Sequence, residues 1–334
     1  MIAKEQGVAP KLSVIVPVYR TPEDLLRGEI ESILASEGVD LELICVDDYP
    51  GSESSKVLEE YRNRDPRVVL LVNDRNRGVS YSRNRGLAVA RGEWVAFQDS
   101  DDTITPTGFA DLIAFAKKNN LSMAHGLMRY PDQDKVLTAY GVPPGEARVV
   151  DPTGNCPEGI NALLEWISWS VVASVYRRTA FDAFSFNNLL YRYEDSMAIA
   201  QLILAQKLRF GCLNQHLYTV FPHTGSLSRR TPTARNYVEY AIAARAIARL
   251  MEQGKETIAP EILRFYAWRC LHILFSDRRG YNASFTRRQR RAFCVGALDT
   301  CRVLHPHLPA RLRLPLYLLI TAPRLLFMPG NLLW

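Results

Sequence analysis

Three carboxylates stand together where an apolar run ends, in Trp94-Val95-Ala96-Phe97-Gln98-Asp99-Ser100-Asp101-Asp102. Carboxylates gathered on one tight turn repel one another and raise their own pKa values, and a hard divalent ion taking oxygen ligands relieves that repulsion. The plainer use of such a turn is a solvated acidic cap for the next helix. A second acidic pair, Glu194-Asp195, opens an apolar stretch after Tyr191-Arg192-Tyr193. A carboxylate there can take a proton from a reacting hydroxyl, or merely stabilise the helix start through the dipole by about 0.3–1 kcal/mol. Asp47-Asp48 closes another apolar run, and Arg83 belongs to a side-chain type that holds base or phosphate oxygens through charge-assisted bonds.

Such groups act together only if strands bring them to one edge. Residues 12–17, 41–46, 68–72 and 94–97 are continuous apolar, β-branched runs, the pattern of strands buried on both faces. Between them, 22–36, 54–64 and 79–90 carry helix start and stop signals, including Thr21-Pro22 and the flanking Gly78 and Gly92. The alternation predicts an α/β fold of the doubly wound kind, in which ligands bind at the carboxyl ends of the strands. Pro17-Val18-Tyr19, Asp47-Asp48 and Asp99 to Asp102 all fall at such ends, so three segments converge on one crevice.

Beyond Pro106 the expected order is a helix to Lys118, a strand over 121–128 and a Pro/Gly-rich loop over 143–159. A helix over 160–167, a strand over 169–176, a helix from Tyr193 to Lys207 and a strand over 216–221 follow. Thr231-Pro232 opens a mainly helical remainder, broken at Gly254 and Gly280.

Taken together, Ser13 to Tyr19, Val46-Asp47-Asp48, Asn76-Arg77-Gly78-Val79-Ser80-Tyr81-Ser82-Arg83-Asn84-Arg85-Gly86 and Phe97 to Asp102 resemble family 2 of the GT-A fold glycosyltransferases, over roughly residues 11–230. The resemblance implies a Rossmann-like, mostly parallel central sheet flanked by helices. It implies a nucleotide-sugar-binding half in 1–125, an acceptor half in 126–230 and a helical C-terminal region in 231–334. It implies transfer of a sugar from a nucleoside diphosphate donor, uridine by family frequency, to a hydroxyl, usually with inversion. By the same resemblance Pro17 and Tyr19 border the nucleoside, Asp48 accepts from the base, with loop capping as its other use, and Arg83 lies near the nucleotide. Asp101 ligates Mn2+ or Mg2+, and Asp99 holds the ribose or a metal-bound water. Asp195 is the base, with Glu194 in support. His223 is a candidate metal ligand, Arg229 and Arg230 a lid over the phosphates, and Trp169 and Trp166 candidate faces for the acceptor sugar. Asp102 is read as a helix cap and Arg85 as solvated helix surface. The chain departs from the family at Tyr49-Pro50, where Gly-Ser is usual.

Composition narrows the rest. With 47% hydrophobic and 23% charged residues the chain reads as an ordinary globular protein, and its six cysteines lack CxxC or metal-ligand spacing. Met1 to Glu5 opens no apolar signal segment, so a cytoplasmic protein is expected. The net charge of +6 is modest, but arginines crowd the end of the chain, at Arg278, Arg279, Arg287, Arg288, Arg290, Arg291, Arg311, Arg313 and Arg324. Residues 308–329 are too interrupted by Arg and Pro to span a bilayer. They suit the inner face of the cell membrane, arginines on anionic headgroups and Leu, Phe and Trp334 in the acyl boundary. The expected partners are therefore the donor, a glycan or lipid-linked acceptor and an anionic membrane, with an oligomer open; no aromatic/basic motif points to nucleic acid. Two rivals are a sugar nucleotidyltransferase, which would need a Gly-rich phosphate loop that 17–22 lacks, and a non-catalytic assembly subunit.

Overall fold

The computed structural model describes residues 10–131, 147–154, 156, 160, 164, 167, 170–222, 231–275 and 285–307. They form two compact units interleaved along the chain: 1–150, 170–188 and 208–222 make the first, and 151–169, 189–207 and 223–334 the second.

The first unit is one nine-stranded sheet. Strands β1 (Leu12–Val18), β2 (Leu41–Asp47), β3 (Val68–Val72) and β4 (Trp94–Phe97) pair in parallel in the order β3-β2-β1-β4. Helices α1 (Glu23–Leu34), α2 (Glu53–Arg64) and α3 (Val79–Val89) make the crossovers that parallel pairing demands. β1 and β2 bury nearly every residue, which is why they read as largely apolar runs; the polar exceptions Ser13 and Glu42 are buried against each other, Ser13 Oγ donating to Glu42 Oε1 at 2.7 Å. In α1, Leu26, Glu29, Ile30 and Ile33 form the buried stripe, one helical face with a carboxyl set into it. Gly86 brings α3 hard against β1: a Cβ there would sit 2.4 Å from Ile15 Cγ2.

Beyond β4 the sheet continues through β8 (Ser174–Arg177), β6 (Met123–Arg129), β9 (Phe210–Thr219) and β5 (Thr103–Ile104), with β7 (Ala147–Val150) also on β9. Pairing here is antiparallel except for β6 with β9. The α/β class stands as expected, and the sheet is mixed: β1 to β4 form a wholly parallel block, and β6 with β9 adds one more parallel pair. The expected loop over 143–159 contains β7, whose four residues were too few to register as a run. β9 begins earlier than the expected 216, because Phe210-Gly211-Cys212 pairs with β6 before polar Asn214-Gln215 interrupts the apolar pattern. Helix α4 (Gly108–Lys118) follows β5.

In the described residues of the second unit lie helices α5 (Glu194–Ala200), continued by a π turn at Gln201–Ala205, α6 (Ala234–Gly254), α7 (Pro260–Phe275) and α8 (Arg287–Leu304). α6 carries a buried face of alanines and tyrosines, and small residues let α8 approach it: a Cβ on Gly296 would lie 2.8 Å from Ala241 Cβ.

Candidate active site

The strand register sets out one edge of the first unit. Val18 pairs with Asp47 and Ile15 with Phe97, so Tyr19, Asp48 and the Asp99 turn leave three adjacent parallel strands at their carboxyl ends. The Asp99 turn is pinned from below. Tyr218 of β9 donates its hydroxyl to Asp102 Oδ2 at 2.8 Å and accepts from Asp99 N at 3.3 Å. Phe221 N donates to Asp102 Oδ1 at 2.9 Å, and Ser100 shares a 2.6 Å hydrogen bond with Thr21. Asp102 is thus buried and serves the fold, but it clasps the end of β9 rather than capping α4, whose N-cap is Thr107.

Asp99 and Asp101 are the more open members; the Asp99 side chain is 45% exposed. Their charge is felt underneath. Burial first, and then the charges of Asp99 and Asp101, push the Asp102 carboxyl up to about 8 against the pull of Phe221 N–H and the Tyr218 hydroxyl. Deeper still, Glu29 is wholly buried, and neither of its carboxyl oxygens has a hydrogen-bond partner among the described residues. Burial and the charges of Asp102, Asp99 and Asp101 hold Glu29 well above the ordinary carboxylate range. Among the described residues no group of three or more His, Cys, Asp or Glu encloses a metal by itself. Two open carboxylates with repelled neighbours fit instead the way Mg2+ and Mn2+ bind, through one or two carboxylates with substrate phosphates and water completing the shell.

Glu29 gives a pH test. Because its folded pKa lies above the unfolded value, the folded chain keeps a proton that the unfolded chain gives up as pH rises, and stability falls. Without divalent cation, Glu29→Gln is expected to unfold at a higher temperature than wild type at pH 8, the gap closing towards pH 4. Thermal unfolding across that range checks it; an equal gap at both ends contradicts it.

The neighbouring strand ends are built from backbone clasps. Asp47 accepts from Tyr49 N at 2.9 Å and Ser55 Oγ at 2.6 Å, and so fixes the turn into α2. Asp48 accepts from Asn73 Nδ2 at 2.6 Å, Arg77 N at 2.7 Å and Gly78 N at 2.8 Å. It is buried and holds the loop that begins α3, where Gly78 adopts φ 88°, a conformation that suits glycine. Above these clasps Tyr19, 42% exposed, meets Tyr49 edge to face at 5.4 Å. Arg20, itself at φ 53°, lies 4.4 Å over the Tyr49 ring. The Tyr49 that broke the family pattern therefore makes an aromatic corner with Tyr19. Arg83 on α3 is buried, reaches Asp99 Oδ1 at 3.3 Å and faces the Phe186 ring at 5.5 Å. Arg85 is not merely solvated, since its Nη1 donates to Val72 O and Asn73 Oδ1.

In the second unit Glu194 and Asp195 are half-buried in the first turn of α5. Their helix starts without a side-chain cap, from Tyr193 in the left-handed region at φ 60°, a conformation that costs a bulky residue about 1–3 kcal/mol. Its surroundings fix it: the Tyr193 ring stands edge-on to Tyr240 of α6 at 4.9 Å, and Arg192 Nη1 donates to the same Tyr240 hydroxyl at 3.2 Å.

Residues 13–184 match the sequence family described as "Glycosyl transferase family 2". The chain belongs to that family. As a family 2 glycosyltransferase it is similar to the "Uncharacterized glycosyltransferase YibD" of Escherichia coli (strain K12), 29% identical over 260 residues, 76% of this chain and 73% of YibD. It is 41% identical over 97 residues to the "Succinoglycan biosynthesis protein ExoO" of Rhizobium meliloti (strain 1021), a match spanning 29% of this chain and only 27% of ExoO. Among solved structures, S. aureus TarS 1-349 in complex with UDP superposes with a TM-score of 0.73 at 19% identity, over 95% of this chain and 89% of that one. That likeness is one of fold, a mixed α/β GT-A sheet flanked by helices.

Of the residues singled out in this family 2 enzyme, Pro17, Tyr19, Asp48, Arg83, Asp99 and Asp101 share the first unit, and Glu194 and Asp195 belong to the second. His223, Arg229, Arg230, Trp166 and Trp169 lie outside the described residues, as do 308–334. No helix among the described residues is long and apolar enough to cross a membrane.

Proposed function

We propose that this glycosyltransferase moves a sugar, with inversion, from a UDP-sugar to a hydroxyl of a glycan or lipid-linked acceptor, assisted by Mn2+ or Mg2+, in the synthesis of a bacterial surface polysaccharide. The observation that carries the proposal is the pair of open carboxylates, Asp99 and Asp101, at the end of β4 on a turn whose inner neighbours already feel their charge. Similarity to ExoO, a succinoglycan biosynthesis protein, and to TarS, solved in complex with UDP, supports the choice of donor and product class.

In this reading Asp101, with Asp99, holds the cation, which when bound supplies charge to neutralise a departing diphosphate. Asp99 alternatively serves the ribose. The exposed Tyr19 and the strand end at Pro17 border the base, and Asp48 acts on it through the 77–78 backbone that it clasps. Arg83 keeps Asp99 in register and adds positive charge near the phosphates. Asp195, backed by Glu194, accepts the proton of the acceptor hydroxyl. The acceptor oxygen then bonds to the anomeric carbon from one face as the bond to the diphosphate oxygen breaks on the other, its electron pair leaving with the diphosphate. His223 as a further ligand, Arg229 and Arg230 as phosphate clamps, and Trp169 and Trp166 as acceptor platforms remain part of the proposal on sequence grounds.

A cytoplasmic enzyme at the inner membrane face completes the reading. Arg287, Arg288, Arg290 and Arg291 crowd the exposed first turns of α8. That is the positive end of the helix dipole, where like charges three and four apart are unfavourable for the fold alone. An anionic surface offsets that cost.

The test is thermal unfolding with UDP, with and without Mn2+. A nucleoside diphosphate at 100 times its dissociation constant is expected to add about 2.7 kcal/mol of stability in the presence of the ion, and much less with chelator.

A further inference from the structure

Arg269 lies within α7 and is entirely buried, although a guanidinium is among the side chains most costly to take out of water. Its Nη2 donates to Ser196 Oγ at 2.7 Å, and its guanidinium carbon faces the Tyr193 ring, 5.9 Å from the centroid. These two contacts bracket Glu194-Asp195: the ring belongs to the residue before the pair and the hydroxyl to the residue after it. Tyr193 is also the residue held in the left-handed region, and from α6 it meets Tyr240, while Arg235 lies 4.3 Å over the ring of Tyr191. The turn that starts α5 is therefore gripped by side chains from two helices more than forty residues later in the chain.

The helix alone does not call for this. Two acidic residues in its first turn are already favoured by the dipole, and a buried serine hydroxyl such as that of Ser196 can be satisfied by a neighbouring backbone carbonyl without a cation. A buried cation reaching the far side of that turn does something else: it removes the freedom of the turn to rock.

We infer that Arg269 is a positioning residue, which grips Ser196 and backs Tyr193 so that the Glu194-Asp195 turn is held in one orientation towards the acceptor. This inference rests on the reading of Asp195 as the base. A residue of this kind acts on turnover rather than on donor affinity, because the donor-side residues Tyr19, Asp48, Arg83, Asp99 and Asp101 belong to the other compact unit.

The test compares transfer and donor binding in Arg269→Met, Arg269→Lys, Ser196→Ala and Asp195→Asn, and in Arg269→Met combined with Asp195→Asn. Displacing a catalytic group by about an ångström costs on the order of 100-fold, so Arg269→Met is expected to lower kcat by about 30- to 100-fold with donor KM unchanged. Arg269→Lys, which keeps a charged donor, is expected to recover most of that loss. Ser196→Ala, which removes only the gripped atom, is expected to lower kcat by about 3- to 10-fold. In the Asp195→Asn background Arg269→Met is expected to add no further loss, since a residue acting through Asp195 has nothing left to position. Wild-type kcat in Ser196→Ala, or losses that add in the double variant, overturns the inference, and the serine variant decides the matter if Arg269→Met does not fold. Full transfer by Asp195→Asn sinks the base reading; loss of transfer there with wild-type turnover in folded Arg269→Met sinks only the positioning role.

Discussion

Asp195→Asn is expected to lower kcat for transfer by about 100- to 10,000-fold, the range that a positioned general base contributes, while donor binding stays at the wild-type level. The amide keeps the size of the carboxyl and loses its ability to accept a proton. The fold is expected to tolerate the change, because Asp195 is half-buried in a helix start whose shape is fixed by Tyr193 and Tyr240. Steady-state kinetics with saturating donor, alongside donor-induced thermal stabilisation, separates the two effects. Retention of full transfer removes Asp195 from the mechanism.

Asp101→Ala is expected to abolish the Mn2+-dependent part of donor binding and to lower kcat/KM by at least about 100-fold, since a cation bound at the diphosphate supplies several kcal/mol of charge stabilisation. The same change is expected to relieve the carboxylates beneath it. With one repelling charge gone, the Asp102 carboxyl moves back down from about 8, and the variant without cation becomes more stable at neutral pH than wild type. A binding-site residue whose loss stabilises the fold is a familiar signature of a site assembled for a ligand. Calorimetric titration of UDP with and without Mn2+ measures the first effect and thermal unfolding in chelator the second. Unchanged metal-dependent binding means that the turn at the end of β4 has another purpose.

Much of the first unit is legible in the sequence because its strands are buried on both faces. Runs such as Leu12 to Val18 and Leu41 to Asp47 are mostly apolar without a regular polar alternation, and each is followed by a residue, Tyr19 or Asp48, that the register brings to one edge. Short elements escape this reading. β5 has two residues and β7 four, and both are strands because β9 pairs with them, not because of their own composition.

The candidate site divides in the same way. The Asp99 turn and Glu194-Asp195 are visible as carboxylates beside apolar runs, but what each carboxylate does depends on partners far along the chain. Asp102 reads as a cap for the helix next to it, and it instead binds Tyr218 and Phe221. Tyr49 reads as a departure from a pattern, and it becomes half of an aromatic corner with Tyr19. Glu29 offered one signal, an acid in the apolar stripe of α1 between Leu26 and Ile33, and only its burial under the Asp99 turn gives that signal meaning. Arg269 gave none: a single arginine in an apolar helix becomes informative once Ser196 and Tyr193 are found on it.

The end of β4 is proposed to hold a nucleoside diphosphate through a divalent cation. Thermal unfolding of the wild-type chain with UDP at about 100 times its dissociation constant tests it most directly, read with Mn2+ and again with chelator. About 2.7 kcal/mol of added stability is expected with the ion and little without it. Equal stabilisation in both conditions, or none from any nucleoside diphosphate, would contradict it.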